Sequence, residues 1–362
     1  MSNKLSHSQV SLYQNCSQAW SYRYQQGYKP VKQSAALIFG SAVDKAFSEM
    51  VATKDFDKAY ACFIKEFENS FINNEPEYIP TSAKIVYSDS DLDLDLITEE
   101  DKAKVLAVTN SELSFDETAE QLISTKKKKG YEFLQEEQKR HFNYLNWLSL
   151  SRKGYYFLKA IEDEVLPKLE EILSLQEMVD LKNSNGDSVI GYVDIVARVK
   201  GHDTPVILDL KTSSMVYDDD SVILSPQLSL YLYSLQEKYK TNKAGYIVIN
   251  KRLNKNKVKI CKTCAFDGSG ASHKTCSNEV AGKRCHGQWE ETIKPKAYVQ
   301  WIIDVIPQTT IDLVLDNYQF INDSISNKIV YRNLQSCKTR WGTKCDYFNL
   351  CYKNSTEGLV KK

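Results

Sequence analysis

The stretch that decides the fold runs from residue 191 to residue 214 and contains GYVDIVARV (residues 191–199) and VILDLKTSS (residues 206–214). Both segments are rich in Val and Ile, and the turn-forming KGHDTP lies between them, so they predict two neighbouring strands. Each strand carries an acid, Asp194 or Asp209, and Lys211 follows the second acid by two residues. Because residues two apart in a strand point to the same face, Asp209 and Lys211 are expected to project together.

Two carboxylates and a lysine at this place suggest a divalent-cation site. If Asp194 converges from the paired strand, the two acids offer hard oxygen ligands suited to Mg²⁺ or Mn²⁺. Lys211 could then orient or deprotonate a water molecule, and metal-assisted hydrolysis of a phosphodiester needs this set of groups. An Asp-x-Lys pair alone is more often a surface ion pair, so the prediction depends on the combination with Asp194.

A helix predicted in SPQLSLYLYSLQEKY (residues 225–239) adds Gln227 and Tyr231. These residues are four apart and share one helical face. A glutamine and a tyrosine together can hold a phosphate or a base near the metal. The alternative is an ordinary amphipathic helix with a polar stripe.

The rest of the pattern predicts an α/β chain with several segments. Helices are expected over residues 5–24, 35–50, 55–72, about 131–175 and about 295–322, and a further strand in AGYIVINKR. We divide the chain into N-terminal helices (1–50), a helical segment (51–175), a core sheet with its following helix (176–256), a cysteine-rich insertion (257–290) and a C-terminal helix with further cysteines (291–362).

Composition restricts the class of protein. The chain has 362 residues, 42% of them hydrophobic, and 47 Lys and Arg balance 47 Asp and Glu. This composition is globular, and a neutral chain is not a histone-like coat protein, although a local basic groove is not excluded. No apolar stretch approaches the roughly 20 residues of a membrane span, and the N-terminus lacks the order of a signal peptide, so we predict a cytosolic protein without a membrane partner.

Four cysteines, Cys261, Cys264, Cys276 and Cys285, lie close together in the insertion. A Cys-x2-Cys knuckle with two later thiolates is typical of structural zinc, and the polar residues around it cannot build a core. The second pair is spaced more widely than in a standard zinc ribbon, so His273 or His286 could replace one thiolate. The alternative is a loop with free thiols.

Three more cysteines, Cys337, Cys345 and Cys351, lie near the C-terminus. Three thiolates make an incomplete site for zinc or for an iron–sulfur cluster, since either usually takes four ligands. Cys16 is the best candidate for the fourth. Cys62 is expected to be a small buried hydrophobe on the apolar helical face of Ala59, Phe63 and Phe67.

Two charged segments have alternative interpretations. The acidic SDSDLDLDLITEED (residues 88–101) would be a poor calcium loop, because Leu94 stands where the turn glycine is needed, so we expect a solvated face or a partner-binding segment. The four lysines at 126–129 fit either a solvated helix start or a DNA phosphate contact.

With these motifs in place, GYVDIVARV, VILDLKT and QLSLY resemble the PD-(D/E)XK nuclease superfamily, in the branch of the RecB nuclease domain. Cys16 with the three C-terminal cysteines is similar to the iron–sulfur branch, which includes the AddB nuclease domain and the CRISPR-adaptation exonucleases. The resemblance covers about residues 5–50, 176–250 and 330–352. It implies a restriction-endonuclease-like mixed sheet flanked by helices, with the N- and C-terminal regions joined by a 4Fe–4S cluster.

The resemblance also implies roles for individual residues. Asp194, Asp209 and the backbone carbonyl of Leu210 would be metal ligands, and Lys211 would activate or orient the attacking water. Gln227 and Tyr231 match the family's Gln-x3-Tyr motif, which is associated with substrate binding.

The chain departs from the family pattern at three places. Asp44, in FGSAVDKAF, stands where the family often has a metal-binding histidine, and Val193 replaces the proline before the first acid. The spacing of Cys337 and Cys345 is wider than usual.

These features predict a metal-dependent DNA nuclease, an exonuclease working on ends or single strands in recombination, repair or degradation. It would be phage-encoded, would act in the host cytoplasm and could meet recombination or replication proteins. The alternative is a catalytically inactive DNA-binding or recombination-complex subunit with a nuclease-like fold. An iron–sulfur redox sensor on the same scaffold is a third interpretation.

Overall fold

The helices and strands of the protein come from a computed structural model that describes residues 4–72, 84–88, 91–109, 114–129, 131–182, 188–268, 273–338 and 344–361. The helices are α1 (His7–Asn15), α2 (Ser17–Trp20), α3 (Ala35–Thr53), α4 (Phe56–Ile72), α5 (Glu99–Thr109), α6 (Phe115–Lys129), α7 (Glu136–Ala160), α8 (Pro226–Tyr239), α9 (Gln308–Ser326) and α10 (Phe348–Lys353). The strands are β1 (Lys4–Ser6), β2 (Tyr28–Pro30), β3 (Gln33–Ser34), β4 (Ile85–Val86), β5 (Leu169–Lys182), β6 (Ser188–Val199), β7 (Val206–Ser213), β8 (Lys243–Asn250), β9 (Asn254–Cys261), β10 (Glu279–Val280), β11 (Lys283–Arg284), β12 (Trp289–Lys296), β13 (Val299–Val305) and β14 (Leu359–Lys361).

A six-stranded mixed sheet forms the centre of the fold. Its path is β1-β6-β7-β8-β13, and β5 pairs along the other edge of β6. β6 runs antiparallel to β5 and β7, whereas β7 and β8 are parallel and are joined through α8. A parallel pair needs such a crossover, because a short turn cannot return the chain to the same end of the sheet.

Helices cover both faces of this sheet. On one face, α3, α4 and α7 pack their apolar residues on β6, β7 and β8, including the fully buried Leu208 and Ile247. On the other face, α8 and the start of α9 pack on Ile207 and Val248. The alternation of β7 therefore directs Asp209 and Lys211 towards α8. The mixed sheet with helices on its faces confirms the α/β fold class.

Two predicted helices are partly wrong. Residues 169–175, expected to be helical, begin the long strand β5, and the stretch before α9 that was expected to be helical contains β13. Both strands pair with sheet neighbours, β5 with β6 and β13 with β8, and this pairing outweighs local propensity.

The acidic segment packs on α7 through Asp91 and Asp101, while Asp95, Glu99 and Glu100 remain exposed. Asp91 is fully buried, and its backbone carbonyl accepts a hydrogen bond from Lys153 Nζ at 3.1 Å. Asp101 forms an ion pair with Arg152, with Nη2 and Oδ2 2.9 Å apart. These partners belong to the same chain, so the negative charge of the segment is largely satisfied internally.

The two chain ends lie side by side, as the cysteine prediction requires. The N–H of Gln18 and the hydroxyl of Ser17 both donate to the Tyr331 carbonyl, at 3.0 and 3.1 Å. β14 pairs with β2, and Tyr347 packs with Tyr22 at a ring distance of 5.8 Å. Protein contacts alone therefore hold residues near 16 against residues near 347.

Other expectations need smaller corrections. Cys62 is half-buried at the margin of a helical face on which Ala59, Phe63 and Phe67 are fully buried. The run of lysines lies at the end of α6 instead of starting a helix. Among the described residues, no helix is both long enough and apolar enough to span a bilayer.

The contact between α4 and α7 gives a stability prediction. A Cβ on Gly154 would lie 2.1 Å from the ring of Phe63, which is fully buried and stacks on Phe67 at 5.4 Å. We expect Gly154→Ala to lower the free energy of unfolding by about 1–3 kcal/mol, because the packed ring has no room to move. Urea unfolding monitored by circular dichroism measures the change, with Ser151→Ala on the same helix as control. Equal stability of both variants and the native chain would contradict this packing.

Candidate active site

Asp209 and Lys211 form a buried ion pair on the α8 face of the sheet. Lys211 Nζ lies 2.6 Å from Asp209 Oδ2, and Asp209 is only 2% exposed. Asp209 Oδ2 accepts no well-formed hydrogen bond from the described residues, so the ammonium is its main compensation. The two groups therefore depend on each other, because either charge alone would be costly at this depth.

α8 adds an amide that connects both members of the pair. Gln227 Oε1 accepts a hydrogen bond from Lys211 Nζ at 3.1 Å, and Gln227 Nε2 donates to Asp209 Oδ1 at 3.0 Å. The same Nε2 lies 2.8 Å from the hydroxyl of Tyr231. Ser225 caps the start of α8 by accepting from the N–H of Leu228, so the helix begins where Gln227 meets the strand.

The ring of Tyr231 packs against β6 at Gly191, where a larger residue would leave it no room. A Cβ on Gly191 would lie 2.7 Å from Tyr231 Cε1. Burial raises the pKa of Tyr231 to about 12, although its contact with Gln227 acts in the opposite direction. The phenol therefore keeps its proton at neutral pH and remains a hydrogen-bond donor.

Asp194 approaches the same place from β6. Its Oδ2 accepts a hydrogen bond from the backbone N–H of Leu210 at 2.8 Å. Its Oδ1 lies 3.4 Å from Nε2 of Gln176, and that nitrogen is also 3.4 Å from Asp44 Oδ1 on α3. One amide thus spans the two carboxylates.

Three carboxylates share this site with one ammonium group, and their electrostatics reflect the imbalance. Burial, followed by the charges of Asp209 and Asp44, raises the pKa of Asp194 to about 8. Burial and the charge of Asp209 also raise the pKa of Asp44, and burial raises that of Asp209. Burial opposes protonation of Lys211, but the Asp209 carboxylate outweighs it and raises the pKa of the lysine, which stays an ammonium.

With this geometry established, comparison with protein families matches residues 4–351 to the PD-(D/E)XK nuclease superfamily. The chain belongs to that superfamily. The match spans the sheet, the helical segment, the cysteine-rich insertion and the C-terminal cysteines. Comparison with curated proteins found no match.

Nucleases of the PD-(D/E)XK superfamily use divalent metals, and the residues of this site fit such an ion. Asp44, Asp194 and Asp209 offer only oxygen ligands, and burial raises the pKa of each carboxyl, with the charge of Asp209 adding to the rise at Asp44 and Asp194. Among the described residues, the three aspartates are not a group whose ligand atoms all lie within 4.8 Å of one another. This arrangement suits Mg²⁺, because that ion keeps several waters and takes only one or two carboxylates.

Gln176 is a site residue of this PD-(D/E)XK nuclease that the sequence did not indicate. It lies on β5 opposite Asp194, between the pairs Leu175–Ile195 and Glu177–Val193. Its φ of 48° is left-handed, a conformation rarely held by a non-glycine residue without a compensating contact. The signal that places Gln176 in the site is the pairing of β5 with β6. The sequence predicted a helix at the start of β5, so this pairing was not foreseen.

His7 also lies within electrostatic reach of the site and was not considered from the sequence. Its Nδ1 is 2.8 Å from the hydroxyl of Tyr318. Burial, followed by the charge of Lys211, lowers the pKa of His7. The imidazole is therefore held neutral beside the catalytic lysine candidate.

The four cysteines of the insertion converge as one group. Among the described residues, three or more metal-binding side chains meet in this way only at Cys261, Cys264, Cys276 and Cys285, whose sulfurs lie within 4.8 Å of one another. The Sγ atoms of Cys261 and Cys285 are 3.6 Å apart, as are those of Cys264 and Cys276. A tetrahedral ion with metal–sulfur bonds near 2.3 Å needs sulfurs about 3.8 Å apart, so the group could bind one metal ion.

Neither histidine belongs to this cysteine group. Gly287 keeps the centre open, since a Cβ there would lie 2.5 Å from Cys261 Sγ. Burial opposes ionisation of Cys261, but hydrogen bonds from the N–H groups of Cys264 and Thr263 outweigh it and lower the thiol pKa to about 6. The first cysteine of the group is therefore suited to bind metal as a thiolate.

The other four cysteines line a second site between the chain ends. Cys16, Cys337, Cys345 and Cys351 share one cavity with Tyr22, Tyr347 and Phe348. The N–H of Cys345 donates to the carbonyl of Cys337 at 2.9 Å, and Cys16 is 8% exposed. The structure therefore brings the predicted set together, although not at the close spacing of the insertion cysteines.

The raised pKa of Asp194 predicts that the stability of the folded protein falls as the pH rises. Below about pH 4, Asp194 is protonated in both the folded and the unfolded state. Between about pH 4 and 8, Asp194 ionises only in the unfolded state. The contribution of this group to the free energy of unfolding therefore falls as the pH rises. Without added Mg²⁺ or Mn²⁺, we expect Asp194→Asn to raise the melting temperature at pH 8 and to change it much less near pH 4. Scanning calorimetry at both pH values checks this, with Asp316→Asn on the exposed side of α9 as control. A variant that is less stable at pH 8 would contradict the assigned burial of charge.

Proposed function

We propose that the protein is a Mg²⁺- or Mn²⁺-dependent deoxyribonuclease, an exonuclease that acts on DNA ends or single strands. The observation that carries this proposal is the network of Asp209, Lys211 and Gln227, with Asp194 beside it. Asp194, Asp209, Asp44 and the Leu210 carbonyl are the proposed ligands. Bound there, the cation would polarise the phosphodiester and acidify a water molecule.

The geometry favours one of the two roles considered for Lys211. The Asp209 carboxylate and Gln227 Oε1 hold it as an ammonium, with three donors and no lone pair. We therefore assign it to orienting the attacking water or a phosphate oxygen, and not to removing a proton. Tyr231, a protonated phenol, and Gln227 would contact the substrate beside it.

We assign zinc to the insertion cysteines and a 4Fe–4S cluster to Cys16, Cys337, Cys345 and Cys351. The sulfur spacing of the insertion group supports a single ion. The second group lines one cavity between the chain ends, and its resemblance to the iron–sulfur branch supports a cluster there. The cluster would then join chain ends that protein contacts already hold together.

The alternative function is a catalytically inactive DNA-binding or recombination-complex subunit. The observation in its favour is Asp44, an acid where the family often has a histidine. The RecB- and AddB-like branch, the phage origin, the host-cytoplasmic location and any recombination or replication partner stay predictions from the sequence.

Removing either member of the buried ion pair tests catalysis. We expect Asp209→Ala and Lys211→Ala each to abolish cleavage of end-labelled linear DNA with Mg²⁺ or Mn²⁺, because positioned electrostatic groups contribute about 10²-fold or more. Asp203→Ala and Lys243→Ala are matched controls, since they break an exposed ion pair elsewhere on the same sheet.

Circular DNA assayed in parallel reports whether cleavage needs ends. Full cleavage by both site variants would exclude this site as the catalytic centre. Binding without cleavage by the native chain, under every metal condition, would favour the alternative function.

Metal analysis tests the two cysteine groups separately. We expect a brown protein containing iron and about one zinc per chain. Cys16→Ser should lose iron and keep zinc, Cys264→Ser should do the reverse, and Cys62→Ser should change neither. Colourless protein with two zinc ions per chain would assign zinc to both sites.

A further inference from the structure

Between β8 and β13 the chain forms an arm, described over residues 254–268 and 273–296, which we call the cysteine arm. β9 and β12 pair as an antiparallel hairpin, and the four-cysteine group lies at its far end. The arm contains nine Lys or Arg and four Asp or Glu, a net charge of +5 in a chain that is neutral overall. Four thiolates around one divalent cation would add two negative charges, which still leaves the arm clearly positive.

Six of these nine cations form no ion pair within the part of the chain that the structure describes. Three of the arm's lysines do form ion pairs: Lys255 with Asp93 and Asp95, Lys294 with Asp267, and Lys296 with Glu164. The remaining six cations form no ion pair with any described residue: Lys257, Lys259, Lys262, Lys274, Lys283 and Arg284. All of them are exposed except Lys259, which is half-buried. Lys259 lies opposite Glu291, and Arg284 lies opposite Glu279, in the strand registers. The arm nevertheless keeps a net positive charge, which suits a polyanion.

The arm begins beside the candidate active site. β7 and β8 are parallel with Lys211 opposite Val248 and Ser213 opposite Asn250, so both strands end at the same edge of the sheet. β9 starts only four residues after Asn250. At about 3.3 Å per residue, the base of the arm lies within roughly 25 Å of Lys211, a length of about seven base pairs of duplex.

The tip of the arm also presents an aromatic ring. Phe266 is 43% exposed, although its carbonyl is fixed by accepting a hydrogen bond from the N–H of Cys261 at 3.0 Å. Cations with an exposed aromatic ring are the features that grip a nucleic-acid backbone and stack on unpaired bases.

We propose that the cysteine arm is a DNA-docking element that holds the sugar–phosphate backbone several base pairs away from the bond being cleaved. The inference rests on the proposed nuclease function for its substrate, but it concerns binding and not chemistry. Lys257, Lys259 and Lys262 are its main phosphate contacts, because they follow one another along the outgoing strand and the knuckle. A metal bound at the four cysteines would keep the tip rigid, so that DNA binding would cost little free energy for ordering the arm.

The test compares salt-dependent DNA binding by charge variants. The arm variant carries Lys257→Gln, Lys259→Gln and Lys262→Gln, the control carries Lys182→Gln, Lys200→Gln and Lys328→Gln at exposed positions outside the arm, and a rescue variant carries Lys→Arg at the three arm positions. All are made in the Asp209→Ala background, so that DNA survives the measurement. Affinity for a duplex of about 30 base pairs with a single-stranded end is measured between roughly 50 and 200 mM salt.

We expect the slope of log affinity against log salt to fall by about two to three in the arm variant, since each phosphate contact contributes about 0.9. The control and the arginine variant should keep the native slope, and zinc content should be unchanged throughout. Equal slopes for the arm variant and the control overturn the inference, and so does loss of binding in the arginine variant.

Failure of the proposed function gives a different pattern. If the native chain cleaves no DNA with any metal while the arm variant still loses slope, the nuclease proposal fails and the docking inference stands. If the native chain cleaves DNA and the arm and control variants bind alike, the docking inference is wrong and the nuclease proposal stands.

Discussion

Burial of the Asp209 carboxylate against a single ammonium is the interaction on which the rest of the site depends. A desolvated charge costs several kcal/mol unless it is paired and hydrogen-bonded, so Asp209 fixes where Lys211 and Gln227 must lie. Gln227 in turn requires α8 to begin at Ser225, and Tyr231 requires a glycine beneath it on β6. The helix, two strands and one glycine are thus constrained by one ion pair.

The same site leaves negative charge that the protein does not neutralise. Asp194 and Asp44 face each other across the amide of Gln176, and the ammonium of Lys211 already pairs with Asp209. Such an arrangement stabilises the apo protein poorly and suits a cation that brings its own waters. The same carboxylates lower the stability of the metal-free protein and offer ligands to a cation.

The cysteine group of the insertion and the cysteine group at the chain ends play different structural roles. The insertion has few apolar residues, and its buried cluster consists of Cys261, Cys276 and Cys285 with Cys264 and Trp289 against them. Around Cys16, by contrast, aromatic packing and backbone hydrogen bonds already connect the two chain ends. A metal bound at the insertion cysteines would therefore add order beyond the β9–β12 pairing, whereas a cofactor at the chain ends would add to existing packing.

The sequence by itself determined every feature that depends on short spacing: the strands of residues 191–214, the shared face of Asp209 and Lys211, the helical pair Gln227 and Tyr231, and the cysteine knuckle. Periodicity alone misassigned the start of β5, because the pattern of LEEILSL is apolar enough for a helix and only pairing with β6 makes it a strand. Gln176 between two carboxylates and the acidic segment against α7 were decided by tertiary structure alone. Their partners are far apart in the chain, and strand register and helix packing, which no local spacing encodes, bring them together.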